Sequence, residues 1–106
     1  MGTPAYSNGF ISFKKDSAAA SESVKNWMTR ANNHDFPKDS EDFGDFCFEI
    51  GEADETGLSF VADSMREQNL QWQLERLQLF LESIPEVISL DAPIMVQGEG
   101  IFWERE

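Results

Sequence analysis

Apolar residues recur along this chain at two spacings, and the spacings separate helices from strands. Leu70, Leu74, Leu77, Leu81 and Ile84 advance by four, three, four and three residues, which keeps them on one side of a helix. Trp72, Leu79 and Phe80 lie off that line. The broadened stripe predicts a helix over 67–83 pressed against a sheet. Pro85 ends it, and biases the residue before it away from helical geometry. Ala20, Val24, Trp27 and Ala31 repeat the same spacing, with Met28 beside them. They predict a first helix over 17–31, with Asp16 or Ser17 as its cap and Lys25 and Arg30 toward its negative end. Asn32-Asn33-His34-Asp35 and Pro37 stop it.

Alternation with period two marks the strands. Phe46, Phe48 and Ile50 alternate with Asp45, Cys47 and Glu49, predicting a half-buried strand. A polar connection over 51–57 leads to Leu58, Phe60 and Ala62, which alternate with Ser59, Val61 and Asp63. Phe10-Ile11-Ser12-Phe13-Lys14, bounded by Gly9 and Asp16, reads as a short strand. Val87-Ile88-Ser89-Leu90, Ile94-Met95-Val96 and Ile101-Phe102-Trp103 complete the set, with Pro93 interrupting and Gly98 and Gly100 framing a turn. Residues 35–45 form an acidic loop from which Phe36 and Phe43 tuck inward.

The order predicts an α+β fold: a ferredoxin-like split β-α-β-β-α-β sandwich, two helices on one sheet face, with a C-terminal β-hairpin extension. A different strand pairing is the competing arrangement. Residues 1–9, small and polar, read as a flexible N-terminus, and 10–106 as a single acidic domain.

Composition narrows function. The chain has 106 residues, and its 41% hydrophobic content, with nine Phe and three Trp, supports a real core. Whole-chain disorder is therefore not expected despite the charge. Twenty acids against eight bases give a formal net charge of -12. Such a charge opposes direct binding to nucleic-acid phosphates or an anionic membrane and suits a basic protein. A single cysteine, Cys47, rules out an internal disulfide. No apolar run approaches a membrane span, and no basic-then-apolar leader opens the sequence. A cytoplasmic location follows by elimination.

No catalytic or metal-binding residue is assigned and no cofactor is expected, so the chain reads as a non-enzyme. His34 and Cys47 are the only His and Cys, too few for a Cys/His zinc site. No phosphate-cradling glycine loop or nucleophile elbow is present. Asp39-Ser40-Glu41-Asp42 and Glu52-Ala53-Asp54-Glu55 lack the calcium-loop register; counted from Asp35, the position that needs Gly holds Ser40. Trp72 and Trp103 are read as boundary packing, or alternatively as partner anchors. Gln68, Asn69, Gln71 and Gln73 are read as facing water or rimming an interface.

The distribution of charge is the informative feature. Asp39, Glu41, Asp42, Asp45, Glu49, Glu52, Asp54, Glu55 and Asp63 fall in one stretch without Lys or Arg. With the aromatic positions facing the helices, Asp45, Glu49 and Asp63 face outward on an uncovered sheet face. These nine residues are the expected partner-binding set. They predict a small acidic inhibitor of a basic, nucleic-acid-handling protein such as a nuclease. The role would be toxin immunity or a phage-encoded block of a defence nuclease or CRISPR complex, with nucleic-acid mimicry as one route. The alternative is a structural or regulatory interaction domain without mimicry.

Overall fold

The computed structural model describes residues 4–32, 46–95 and 100–106. The elements run β1 (Ala5–Phe13), α1 (Ala18–Asn32), β2 (Phe46–Ala53), β3 (Gly57–Ser64), α2 (Glu67–Glu82), β4 (Val87–Pro93) and β5 (Gly100–Glu104). The fold is α+β. One sheet holds all five strands in the order β2-β3-β1-β4-β5, and every neighbouring pair is antiparallel. Each helix thus links two parallel strands with a third lying between them: β3 between β1 and β2, and β1 between β3 and β4.

Both helices bury one side against the same sheet face. Ile11, Phe13, Phe48, Leu58 and Phe60 from the strands join Val24, Met28, Leu70, Leu74, Leu77 and Leu81 from the helices in one core. Leu70, Leu74, Leu77 and Leu81 of α2 are fully buried, each favouring the folded state by roughly 1.5–3 kcal/mol through loss of contact with water. Trp27 of α1 joins the layers. It stacks on Phe80 of α2 at 5.4 Å and lies 5.8 Å from Phe48. The helix spans read from periodicity, 17–31 and 67–83, differ from the observed ones by one residue, at both ends of α1 and at the C-terminal end of α2.

Strand β1 begins at Ala5, five residues before the position read from the sequence. Its added half was hidden because the inward positions Ala5, Ser7 and Gly9 are small. Gly9 pairs with Phe60, whose ring occupies the space where a Cβ on Gly9 would stand, 2.1 Å from Phe60 Cζ. The aromatic of β3 supplies the volume that β1 lacks.

The C-terminal hairpin also differs from expectation. Pro93 does not interrupt a strand; it ends β4, and β4 itself pairs with β5. Among the described residues Ile94 makes a single bridge, to Ser7, and Val96 of the expected strand lies outside them. Proline is tolerated there because the β1–β4 ladder has already ended at Phe10 and Asp91, so no ladder bond needs its missing N–H. The glutamine-rich stretch splits as well: Asn69 and Gln73 are buried rather than facing water. His34, Phe36 and Phe43 lie outside the described residues. So does the acidic loop.

Candidate functional site

The strands' outward positions form a face that neither helix covers. Register builds it row by row. Cys47, Asp63 and Tyr6 stand side by side on β2, β3 and β1, and Glu49, Val61 and Asn8 form the next row. Ser59, Phe10, Asp91 and Phe102 then run from β3 to β5, followed by Ser12, Ser89 and Glu104. Tyr6 is 45% exposed, Phe10 47% and Phe102 64%, so three aromatic rings face solvent on one surface. Phe10 extends its ring over Gly57, where an added Cβ would come within 2.4 Å of it.

The electrostatics of this face have one sign. No Lys or Arg occurs in any of the five strands, which together contribute Glu49, Glu52, Asp63, Asp91 and Glu104. Around Cys47 the consequence is direct. Desolvation raises the thiol's pKa above its ordinary value, and the carboxylates of Asp63 and Glu49 raise it further. The neutral thiol donates to the Phe48 carbonyl at 3.5 Å. A thiol held in its protonated form is a weak nucleophile.

The expected binding residues are only partly gathered here. Glu49 and Asp63 do face outward and are exposed. Asp39, Glu41, Asp42 and Asp45 lie outside the described residues. Glu52 is exposed within the irregularity of β2, where the Ser59 hydroxyl accepts from its N–H and donates to its carbonyl. Asp54 and Glu55 occupy the β2–β3 turn. There Asp54 accepts from the Thr56 N–H at 2.7 Å, the Thr56 hydroxyl at 2.8 Å and the Gly57 N–H at 2.9 Å. These donors hold its carboxyl below the usual value, the Thr56 backbone bond first. Asp54 therefore shapes the turn. The face adds Asp91 and Glu104, which the sequence reading missed because each is a lone acid in an apolar strand. Only pairing across β1, β4 and β5 brings them beside Phe10 and Phe102.

On the helical side, a recess of about 480 Å³ is lined by Arg66, Gln68, Asn69, Gln71, Trp72 and Glu75. The Arg76 guanidinium sits 5.8 Å from the Trp72 ring centre, so this surface is mixed in charge. Among the described residues, no group of three or more His, Cys, Asp or Glu is placed to hold a metal ion, and no helix is long and apolar enough to cross a membrane. Compared with known proteins, the chain matches no family model, and no curated protein or solved structure matches it.

Proposed function

We propose that this protein is a small acidic inhibitor that binds a basic, nucleic-acid-handling protein in the cytoplasm through the open face of its sheet. One observation carries the proposal: five strands without a Lys or Arg present Glu49, Asp63, Asp91 and Glu104 beside exposed Tyr6, Phe10 and Phe102. Aromatic anchors within an acidic field fit a partner surface that is basic at its rim and apolar at its centre. The same rings on a basic sheet would stack nucleotide bases, but that mode needs cations tracking the phosphates. Toxin immunity and an anti-defence role, including a block of a CRISPR complex, are the settings this chemistry suits. The ferredoxin-like reading of the fold is supported by β1 lying between β3 and β4 and antiparallel to both.

The second reading is an interaction domain without mimicry, favoured by the 64% exposure of Phe102. The two readings differ in their response to salt. A partner recovered on the immobilised protein is assayed for association rate against wild type and a variant carrying Glu49→Lys, Asp63→Lys and Asp91→Lys. Charge-led binding slows steeply as the screening length falls from about 10 Å at 0.1 M to about 3 Å at 1 M salt, and the variant loses most of that dependence. Mimicry adds that the partner's own DNA or RNA competes for the site. Salt-independent binding, unchanged in the variant, sinks the inhibitor reading and leaves the interaction domain.

A further inference from the structure

The two outer edges of the sheet are finished differently. On β2 the edge-facing backbone of Phe48 is closed by a side chain. Asn32, in the last turn of α1, accepts from the Phe48 N–H at 2.7 Å and donates to the Phe48 carbonyl at 2.8 Å. That amide takes the place a neighbouring strand would take. A strand edge left open is a template for pairing with another chain, and this contact closes the β2 edge at Phe48.

On β5 the phase of the ladder is set by the Arg105 N–H, which donates to the Ile88 carbonyl at 2.7 Å. Antiparallel bonding alternates. Trp103 and Ile101 therefore exchange bonds with Leu90 and Ala92, their register partners. The backbone groups of Gly100, Phe102 and Glu104 then point away from the sheet, and no hydrogen bond from another described residue closes them. Nor does β5, with the sequence Gly100-Ile101-Phe102-Trp103-Glu104, carry the Lys or Pro that commonly guards an edge.

We propose that β5 pairs antiparallel with β5 of a second copy of this chain, about a two-fold axis at Phe102. A two-fold axis through Ile101 sets Phe102 opposite Gly100, and one through Trp103 sets Phe102 opposite Glu104, so neither gives Phe102 an apolar partner. An axis through an outward-bonding residue leaves three further choices. At Glu104 it sets two carboxylates directly opposite each other, which is unfavourable. At Gly100 it pairs β5 with the preceding connection and leaves Phe102 uncovered. At Phe102 each element of the strand finds a complement. Phe102 faces its own copy, Ile101 faces Trp103, and Gly100 faces Glu104, so no like charges meet. Two backbone hydrogen bonds form at each of the pairs centred on Gly100, Phe102 and Glu104. The Phe–Phe and Ile–Trp pairs are favourable cross-strand combinations. The interface is isologous and closes on itself.

A five-residue seam is small beside a standard interface of about 1,600 Å², and the association is correspondingly weak, with a dissociation constant on the order of 0.1 mM. Each copy carries a net charge of -12, so added salt strengthens the pairing. A basic partner shows the opposite salt response, which separates this test from that of the proposed function.

The experiment is sedimentation equilibrium of the purified protein from about 10 μM to about 1 mM at roughly 0.15 M and 0.5 M salt. The expected mass rises from 12.0 kDa toward twice that value, further at the higher salt. Phe102→Pro removes the central outward donor without touching the bonds to β4, and is expected to stay monomeric with an unchanged circular-dichroism melt. Phe102→Lys, a second disruption that keeps the backbone donor, decides the matter if the proline variant unfolds; its dissociation constant is expected to rise at least about tenfold. A wild-type mass of 12.0 kDa at every concentration overturns the proposal and leaves the edge to a strand of some other protein. Dimers that persist in the folded variants overturn β5 as the seam.

Discussion

The guanidinium of Arg105, just past β5, donates to the carbonyl oxygen of Leu81 in the last turn of α2 at 3.2 Å. The same Nη2 also reaches Glu82 at 3.2 Å and Ile84 at 3.0 Å, while Nε donates to Val87 at 2.8 Å. A helix end leaves carbonyls without partners and carries partial negative charge. Here one cation answers both and ties the last strand to α2 and β4. Its charged carbon lies 5.0 Å from the Trp103 ring centre.

Arg105→Ala is therefore expected to lower stability by about 1.5–3 kcal/mol, the range for hydrogen bonds involving a charged group. Arg105→Lys recovers only part of this, because an ammonium cannot span carbonyls on two elements as a planar fork does. Urea unfolding midpoints of the three proteins check it. An alanine variant within 0.5 kcal/mol of wild type, by the same ~0.5 kcal/mol margin that holds for ordinary surface changes, refutes the latch.

Within α2, neighbouring positions are expected to respond with different signs. Leu77 is fully buried and Leu79 is 68% exposed. Leu77→Ala leaves a cavity and costs about 2–5 kcal/mol, whereas Leu79→Ala stays within about 0.5 kcal/mol. Gln73 is also fully buried, yet neither its amide oxygen nor its nitrogen has a hydrogen-bond partner among the described residues. Gln73→Leu removes that desolvation cost and is expected to stabilise by about 1 kcal/mol. Equal responses at 77 and 79, or a destabilised Gln73→Leu variant, contradict this account of the interface.

The β2–β3 turn couples stability to acid. Asp54 has its pKa lowered in the folded protein by the Thr56 and Gly57 donors. A lowered carboxylate pKa contributes stability that is present above the unfolded value, near 3.9 for Asp, and is lost as pH falls through the folded value. Wild type is thus expected to lose stability below about pH 4 more steeply than Asp54→Ala, which starts lower at neutral pH. Urea midpoints measured across that range decide it, and parallel curves for the two proteins would exclude Asp54 as the linked group.

How much of this was readable beforehand depended on side-chain size and on pairing. The α2 stripe was legible because Leu70, Leu74, Leu77 and Leu81 are large and evenly spaced. The first half of β1 was not, because Ala5, Ser7 and Gly9 alternate inward without contributing volume. Phe10 reads as a core residue by composition. Its neighbours Ile11 and Phe13 take the inward positions, and strand parity turns Phe10 outward. The outward direction of Glu49 and Asp63 followed from the same parity. Asp91 and Glu104 join the face only through the β1–β4 and β4–β5 registers, which no local pattern encodes. Arg105 carries no local signal, because its capping role depends on a contact across the fold.

The central place of β1 has a consequence in time. This strand is made before both of its neighbours, and Phe10 meets Asp91 only after both helices have been synthesised. Its apolar run of Phe10, Ile11 and Phe13 waits without cover while they are made. Non-local pairing of this kind slows folding relative to helical bundles and prolongs exposure of sticky surface.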